Sequence, residues 1–290
     1  PPLDAIRERI ITSTFSRLGP EGNIFDARPE SCRTIHLDNP VIIDADLARL
    51  VALDGTEGPE GFRTEVISTL YPVNKGADGL ADAISRIRSQ ASDAITSGAT
   101  VIVLSDRGTD DRLAAIPSVL ATSAVHHHLV REKTRTRAGL VLESGDVREC
   151  HQISLLLGYG ANAINPYLVF ETIDDMIANG DHGFDSAMDP AKAHANFVTA
   201  AGTGILKVMS KMGISTVASY TGAQIFEAIG LHTSVVDEYF TGTVSRLGGV
   251  GLDVLAEEVA MRHRLAFPPI STQRAHRTLE AGGEYQWRRE

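Results

Sequence analysis

The sequence predicts an α/β protein of mostly parallel βα repeats that resembles a deviant or incomplete (β/α) barrel and starts with an irregular N-terminal segment. Short apolar runs rich in β-branched residues alternate with longer segments of helical periodicity. Successive units start about 35 residues apart, the spacing that βα repeats need. The strand runs end in Gly, Ser and Asp residues, which favour the turn from a strand into a helix.

The first 63 residues are expected to pack on the core. A helix is predicted over residues 1–15, because prolines precede Asp4 and isoleucines follow at helical spacing. Residues 16–40 are rich in Gly, Pro, Asp and Asn without a period, which predicts an irregular connection. A loop of that length is more often functional or interface-forming than idle. A short helix is expected over 44–53.

The predicted βα core occupies residues 64–268, and the polar residues 269–290 are expected to be a linker. Turn-forming residues separate the core elements, and Gly98 is expected to end one helix as a C-cap. The predicted strands are 65–70, 100–104, 139–143, 161–164 and 214–218, and the predicted helices are 78–97, 111–134, 147–157, 190–213, 222–229 and 252–263.

The clearest unit lies at residues 138–168. A strand that ends near Glu143 is followed by Ser, Gly and Asp, where a helix can begin. Asp146 is expected to cap that helix together with Glu149. The next apolar run, 161–164, then makes two parallel strands joined by a helix the simplest arrangement.

Composition excludes several classes of function. The net charge of −10 argues against a nucleic-acid surface. No apolar run is long enough to span a membrane, and the start has neither a basic nor an apolar signal region. These features predict a cytoplasmic protein without nucleic-acid or membrane partners. Cys32 and Cys150 cannot ligate an iron–sulfur cluster by themselves, and both are expected to be buried thiols.

Two glycine motifs invite a nucleotide or phosphate interpretation. Gly158-Tyr159-Gly160 begins a G-x-G-x-x-A pattern, but a helix precedes it where a dinucleotide site needs a strand, so a helix C-cap is predicted. Residues 248–251 stand before a helix and could offer amides to an anion. A tight packing turn is the commoner use of such glycines.

Three consecutive histidines, at positions 126–128, suggest a metal site, but the geometry of a helix argues against it. Consecutive helical side chains point about 100° apart, so three adjacent imidazoles cannot converge on one ion. We expect one histidine on the buried face and its neighbours in solvent. The sequence predicts no metal site.

Asp106 and Glu143 lie just beyond predicted strand ends, where sites gather in parallel α/β folds. They could perform acid–base chemistry if burial raised a pKa. They could equally cap helices or pair with Arg107 and Arg148. Because no matched nucleophile or metal accompanies them, the sequence predicts no catalytic and no cofactor-binding residues.

Several strings resemble the central domain of the glutamate synthase large subunit. They are PPLDAIRE at the start, SRLGPEGNIFD at 16–26, LSDRG at 104–108, and the long block 207–251 that contains KVMSKMGIST. The last residues, HRTLEAGGEYQWRRE, are similar to the segment that leads into that family's flavin domain. Thr221 is a departure, because many members carry Arg there, so an ion-pair role is not carried over to it.

The resemblance implies an amidotransferase-oxidoreductase that makes L-glutamate from L-glutamine and 2-oxoglutarate. In the family an N-terminal cysteine hydrolyses glutamine, ammonia crosses an internal tunnel, and a barrel with FMN and an iron–sulfur cluster reduces the iminoglutarate. This chain has none of those groups and is expected to be inactive and cofactor-free by itself. The implied partners are the glutaminase and FMN-binding domains of the same parent chain and, through the parent, a small reductase subunit or ferredoxin.

The same resemblance places an ammonia path near residues 12–16 and 36–41. The candidates are Thr12, Ser13, Thr14, Ser16, His36, Asp38 and Asn39. Two alternatives stay open. One is a self-contained barrel-like enzyme that uses Asp106, Glu143 and the 248–251 turn on a small phosphorylated substrate. The other is an isolated binding module, for which only the acidic surface argues.

Overall fold

The structure is a computed structural model that describes residues 7–23, 25–26, 28–53, 61–180, 183 and 185–268. Its strands are β1 (Ser16–Leu18), β2 (Ile35–Leu37), β3 (Thr64–Ser68), β4 (Leu70–Pro72), β5 (Val101–Ser105), β6 (Leu113–Ala115), β7 (Gly139–Glu143), β8 (Ala163–Asn165), β9 (Glu227–Leu231) and β10 (Val244–Val250). Its α-helices are α1 (Glu8–Ile11), α2 (Asp44–Val51), α3 (Gly76–Thr96), α4 (Ser118–Arg131), α5 (Cys150–Gly158), α6 (Tyr167–Asn179), α7 (Pro190–Met212), α8 (Val217–Tyr220), α9 (Thr233–Tyr239) and α10 (Leu252–Ala266).

The core is a parallel four-stranded sheet in the order β3-β5-β7-β8. Val41 forms a parallel bridge with Ile164 and so continues the sheet beyond β8. Helices connect the strands, which confirms the predicted α/β class with mostly parallel βα units. Within the described residues the sheet stays open and does not close into a barrel. None of the helices found there is long and apolar enough to cross a membrane.

Both faces of this sheet are buried, which explains the uninterrupted apolar runs of its strands. On β5, Ile102 and Leu104 face the main core, which α3, α4 and α5 cover. Val101 and Val103 face a second apolar cluster on the opposite side. That cluster includes Leu18, Ile42, Leu47, Leu50 and Phe62, so residues from the first 63 positions cover one face of the sheet.

Several predicted elements differ from the structure. The segment 16–40 carries the antiparallel pair β1–β2 instead of a wholly irregular path. The predicted strand 214–218 is wrong, because the helix α8 begins at Val217. The predicted helix 222–229 is wrong, because β9 pairs there in parallel with β10. The strands β4 and β6 and the helices α6 and α9 were not predicted. Of the helix predicted over 1–15, the described residues are helical only at α1, while residues 1–6 and the predicted linker 269–290 lie outside the described residues.

Candidate functional site

Asp106 lies directly after β5 at the carboxyl edge of the sheet and is only 5% exposed. Its Oδ2 accepts a hydrogen bond of 2.9 Å from the Ser144 hydroxyl, and its Oδ1 accepts one of 2.9 Å from the Gly145 amide. Burial raises the pKa of Asp106, although these hydrogen bonds and one with the Tyr167 hydroxyl act in the opposite direction. The carboxylate is therefore held within the protein and not presented to solvent.

The Asp146 side chain accepts a hydrogen bond from the N-terminus of a different helix from the predicted one. Its Oδ2 accepts a hydrogen bond of 3.3 Å from the Ser118 amide at the start of α4. The helix that follows Asp146, α5, instead has Glu149 as its N-cap, and the Glu149 amide donates to Gln152 Oε1 at 3.2 Å. The strand-to-helix turn is confirmed, but the expected cap is wrong because tertiary packing brings Asp146 to the N-terminus of α4.

Arg107 forms ion pairs with acidic residues at the carboxyl edge of the sheet. Its Nε lies 2.6 Å from Glu143 Oε1, its Nη1 lies 2.8 Å from Glu171 Oε1, and its guanidinium carbon lies 4.0 Å from the Tyr167 ring centroid. Burial opposes the charge of Arg107, but the hydrogen bonds to Glu143 and Glu171 outweigh it and raise its pKa. Glu143 is thus an ion-pair partner of Arg107, as one sequence interpretation predicted.

The buried Asp106 gives a prediction for stability against pH. The folded protein holds the proton more tightly than the unfolded chain, so this group makes the free energy of unfolding fall as pH rises from 3.8 through the raised folded pKa. The slope from one group is at most about 1.4 kcal/mol per pH unit. Asp106→Asn should lack this decline in urea unfolding measured from pH 4 to pH 7. Asp82→Asn, on an exposed part of α3, should keep it. Identical pH profiles for unmutated protein and Asp106→Asn would contradict the assignment.

The three consecutive histidines have separate partners. His126 Nδ1 lies 3.0 Å from Arg135 Nε, and His128 Nε2 lies 2.8 Å from the Ser92 hydroxyl. All three are half-buried, so the expected contrast between one buried ring and two solvated ones is wrong. Among the residues that the structure describes, no cluster of His, Cys, Asp or Glu could hold a metal ion.

The structure also places the glycine motifs and the cysteines. Gly158 ends α5 and Tyr159 is its C-cap, which confirms the C-cap interpretation. Gly249 lies within β10 against the backbone of Gly230, so this glycine serves close packing, although in a strand and not in the predicted turn, whereas an added Cβ on Gly248 would meet no atom within 4 Å. The expectation of two buried thiols is wrong: Cys32 is exposed, and Cys150 is half-buried.

The seven ammonia-path candidates lie on and beside the β1–β2 pair. Thr14 Oγ1 donates to the Asp38 carbonyl at 3.1 Å, and the rings of Phe15 and His36 meet edge to face at 5.1 Å. Ser16 pairs with Leu37 across the two strands. Residues that are more than twenty positions apart are thereby brought together.

The remaining candidates connect this pair to α7 and its C-terminal side. The Ser13 amide donates to the Ser215 carbonyl at 2.9 Å, and Asn39 Nδ2 donates to the Val198 carbonyl at 3.2 Å. Thr12 is 4% exposed, and its hydroxyl has no hydrogen-bond partner among the described residues. The candidates thus form one stretch of backbone and small polar groups beside α7.

A cavity of about 700 Å³ opens at the other end of the β1–β2 pair. Of the seven candidates, Ser16 lines it. The cavity is also lined by Arg17, Glu21, His126, Arg135 and Asn162. The sequence did not single out Arg135 or Asn162, and no local pattern marks them, because their partners are scattered along the chain.

A model of the family described as the glutamate synthase central domain matches residues 1–232. The chain belongs to this family. The glutamate synthase central domain seen here is 40% identical over 290 residues to the glutamate synthase [NADPH] large chain of Bacillus subtilis (strain 168), covering 99% of this chain and 18% of that protein. It is 36% identical over 293 residues to glutamate synthase [NADH] of Saccharomyces cerevisiae, covering 99% of this chain and 14% of that protein.

A third relative is ferredoxin-dependent glutamate synthase 2 of Synechocystis sp., which is 34% identical over 298 residues and covers 98% of this chain and 19% of that protein. The central domain chain therefore spans less than a fifth of the length of these relatives. Among solved structures, the flavin-binding domain of baker's yeast flavocytochrome b2 is similar at 16% identity and a TM-score of 0.39, covering 76% of this chain and 44% of that chain. That likeness is too weak to bear on function.

Proposed function

We propose that this chain joins the glutaminase and FMN-binding domains of a glutamate synthase large subunit and forms part of the ammonia path between them. The parent enzyme makes L-glutamate from L-glutamine and 2-oxoglutarate, with FMN and an iron–sulfur cluster bound outside this segment. The segment itself has no catalytic centre. Residues 1–63, 64–268 and 269–290 act as the covering segment, the βα core and the linker to the FMN-binding domain.

The observation that carries the proposal is the buried hydroxyl of Thr12. A buried hydroxyl without a hydrogen-bond partner destabilises the fold by about 1–3 kcal/mol. We therefore infer that a molecule passing Thr12 forms the missing hydrogen bond. Ammonia is a small neutral molecule that both donates and accepts hydrogen bonds. Thr12 lies one residue from Ser13 and four from Ser16, whose hydroxyl donates to the Asn162 carbonyl at 2.7 Å. These groups offer successive polar contacts, of which the hydroxyls of Thr12 and Ser16 belong to buried residues.

Exposed apolar surface supports the proposed neighbours within the parent chain. Ile229 is 74% exposed and Leu247 is 62% exposed, and the two are directly paired across β9 and β10. Parallel strands are normally covered on both faces, so this pair fits against a further domain, which we assign to the FMN-binding domain. Ile10 on α1 is 83% exposed and fits against the glutaminase domain.

The test uses the complete glutamate synthase that carries this segment. Thr12→Val keeps the shape of the side chain and removes its hydroxyl. We expect it to raise the ratio of glutamine hydrolysed to glutamate formed by about two- to tenfold, the equivalent of one hydrogen bond. Ser13→Trp should block the path and raise the ratio further. Both ratios follow from measuring glutamine consumed and glutamate produced in the same reaction.

Two matched variants control for disturbance of the fold. Thr12→Ser keeps the hydroxyl and should keep the original ratio. Ser85→Trp places the same indole on an exposed position of α3 and should also leave the ratio unchanged. If Thr12→Val and Ser13→Trp both retain the original ratio, ammonia does not pass these residues and the proposed path is wrong.

A further inference from the structure

Arg135 precedes β7 and is held by acceptors that carry no charge. Its Nη1 donates to the Ala138 carbonyl at 2.8 Å, and its Nη2 donates to the Gly160 carbonyl at 2.7 Å and to Asn162 Oδ1 at 3.2 Å. Its Nε donates to His126 Nδ1 at 3.0 Å. These four hydrogen bonds fix the guanidinium in place and leave one of its five N–H groups free.

Within the described part of the chain, the positive charge of Arg135 has no ion-pair partner. Among the described residues, no carboxylate lies within ion-pair distance of this guanidinium. Burial lowers the pKa of Arg135 to about 10, with a smaller opposing effect from Glu21, so it stays charged at neutral pH. Burial also lowers the pKa of His126 to about 3, so its ring is neutral and Nδ1 can accept the hydrogen bond from Arg135 Nε. A partly buried cation without a counter-ion is costly, which points to an anion supplied from outside.

The cavity of about 700 Å³ gives such an anion room beside Arg135. Its volume lies within the roughly 300–1,000 Å³ range of small-molecule sites. Arg17 also lines this cavity, and its guanidinium carbon lies 5.9 Å from the Phe15 ring centroid. Hydroxyls of Ser31 and Thr34 add further donors, while Glu21 is the one acidic residue among the described lining residues.

We propose that this cavity binds a small dicarboxylate, with one carboxylate on Arg135 and the other on Arg17. Two arginines at one cavity suit a ligand with two carboxylates, because each guanidinium can donate a charge-assisted hydrogen bond to one carboxylate group. Of the seven candidates for the ammonia path, Ser16 is the one among the described lining residues, so the site and the proposed path meet at this residue. It goes beyond the role of the domain as a connector and gives it a ligand of its own.

The test is calorimetric titration of the 290-residue chain with succinate and, separately, with inorganic phosphate at about 0.15 M salt, where weak surface attraction is screened. We expect succinate to bind and phosphate to bind more weakly. Arg17→Ala should weaken succinate binding about tenfold or more, the effect of one lost hydrogen bond to a charged group. Ala218→Trp, at an exposed lining position, should block the cavity and abolish binding.

These two variants are chosen because Arg135 ties strand ends together and its replacement could unfold the chain. Arg49→Ala is the matched control, since Arg49 is 80% exposed and does not line the cavity. It should bind succinate as the unmutated chain does. Absence of succinate binding, equal affinity for phosphate, or binding that survives both Arg17→Ala and Ala218→Trp would each overturn the proposal.

Discussion

Replacing Gly249 with alanine is expected to destabilise the protein by about 3 kcal/mol or more, because the added methyl group has no space. A Cβ on Gly249 would overlap the carbonyl, carbonyl carbon and Cα of Gly230 on the neighbouring strand β9. These are backbone atoms, so no side-chain rotation can relieve the overlap. β9 and β10 would have to separate, which breaks their parallel pairing and uncovers the packing of α9 beneath them.

The adjacent residue is a matched control. A Cβ on Gly248 would meet no atom within 4 Å, so Gly248→Ala introduces the same group on the same strand without a clash. Urea unfolding followed by circular dichroism gives the free energy of unfolding for both variants. Gly248→Ala should stay within about 1 kcal/mol of the unmutated protein. Equal stability of the two variants would show that the close approach of Gly230 and Gly249 does not hold.

Replacing Gly160 with alanine should cost about 3–5 kcal/mol, as the sum of a strained backbone and an overpacked core. Gly160 has φ of +118°, a value that residues with a side chain rarely adopt. A Cβ there would overlap the His126 ring, which accepts the hydrogen bond from Arg135. The substitution should therefore disturb the cavity as well as the turn after α5.

Gly98→Ala separates the two causes of this loss. Gly98 also has a positive φ, +90°, but a Cβ there would meet no atom within 4 Å. Its loss of stability, measured by the same unfolding experiment, estimates the backbone strain alone. The excess in Gly160→Ala then measures the overlap with His126. No excess would mean that the histidine ring moves aside without cost, contrary to our expectation.

The parallel core could be predicted from sequence because its strands are buried on both faces. The predicted strand 139–143 coincides with β7, since every residue of Gly139–Leu142 is apolar or small and buried. The helices α3 and α7 follow from long segments of helical periodicity that end near Gly98 and Gly213. In these places the local pattern and the tertiary environment favour the same structure.

The C-terminal part could not be predicted in this way. Residues 222–229 have a helical pattern, yet β9 forms because β10 supplies a hydrogen-bonding partner 17 to 19 residues later in the chain. The pairing brings the backbones of Gly230 and Gly249 into close contact, where a side chain on Gly249 would clash. Such a contact joins two positions that no local window contains.

The candidate sites also divide into residues that a local sequence pattern marks and residues that only the fold brings together. Asp106 and Glu143 could be located because strand ends are visible in the sequence, and the ion pair of Glu143 with Arg107 was one predicted outcome. The cation at Arg135 was not predicted, since its acceptors lie at positions 126, 138, 160 and 162 and only the fold brings them together. The ammonia-path residues came from resemblance, and their role stays a prediction.

The strand-like contact beside β8 has a consequence for synthesis on the ribosome. Ile42 accepts a hydrogen bond from Asn165, and these residues are 123 positions apart. At roughly 5–20 residues per second, the early segment waits about 6–25 s before its partner is made. During that interval β3, β5 and β7 are made, but Ile42 lacks its neighbour β8 at the edge of the sheet. The nascent chain therefore carries an apolar segment that is incompletely buried, and the time for which it can aggregate depends on how fast the following residues are translated.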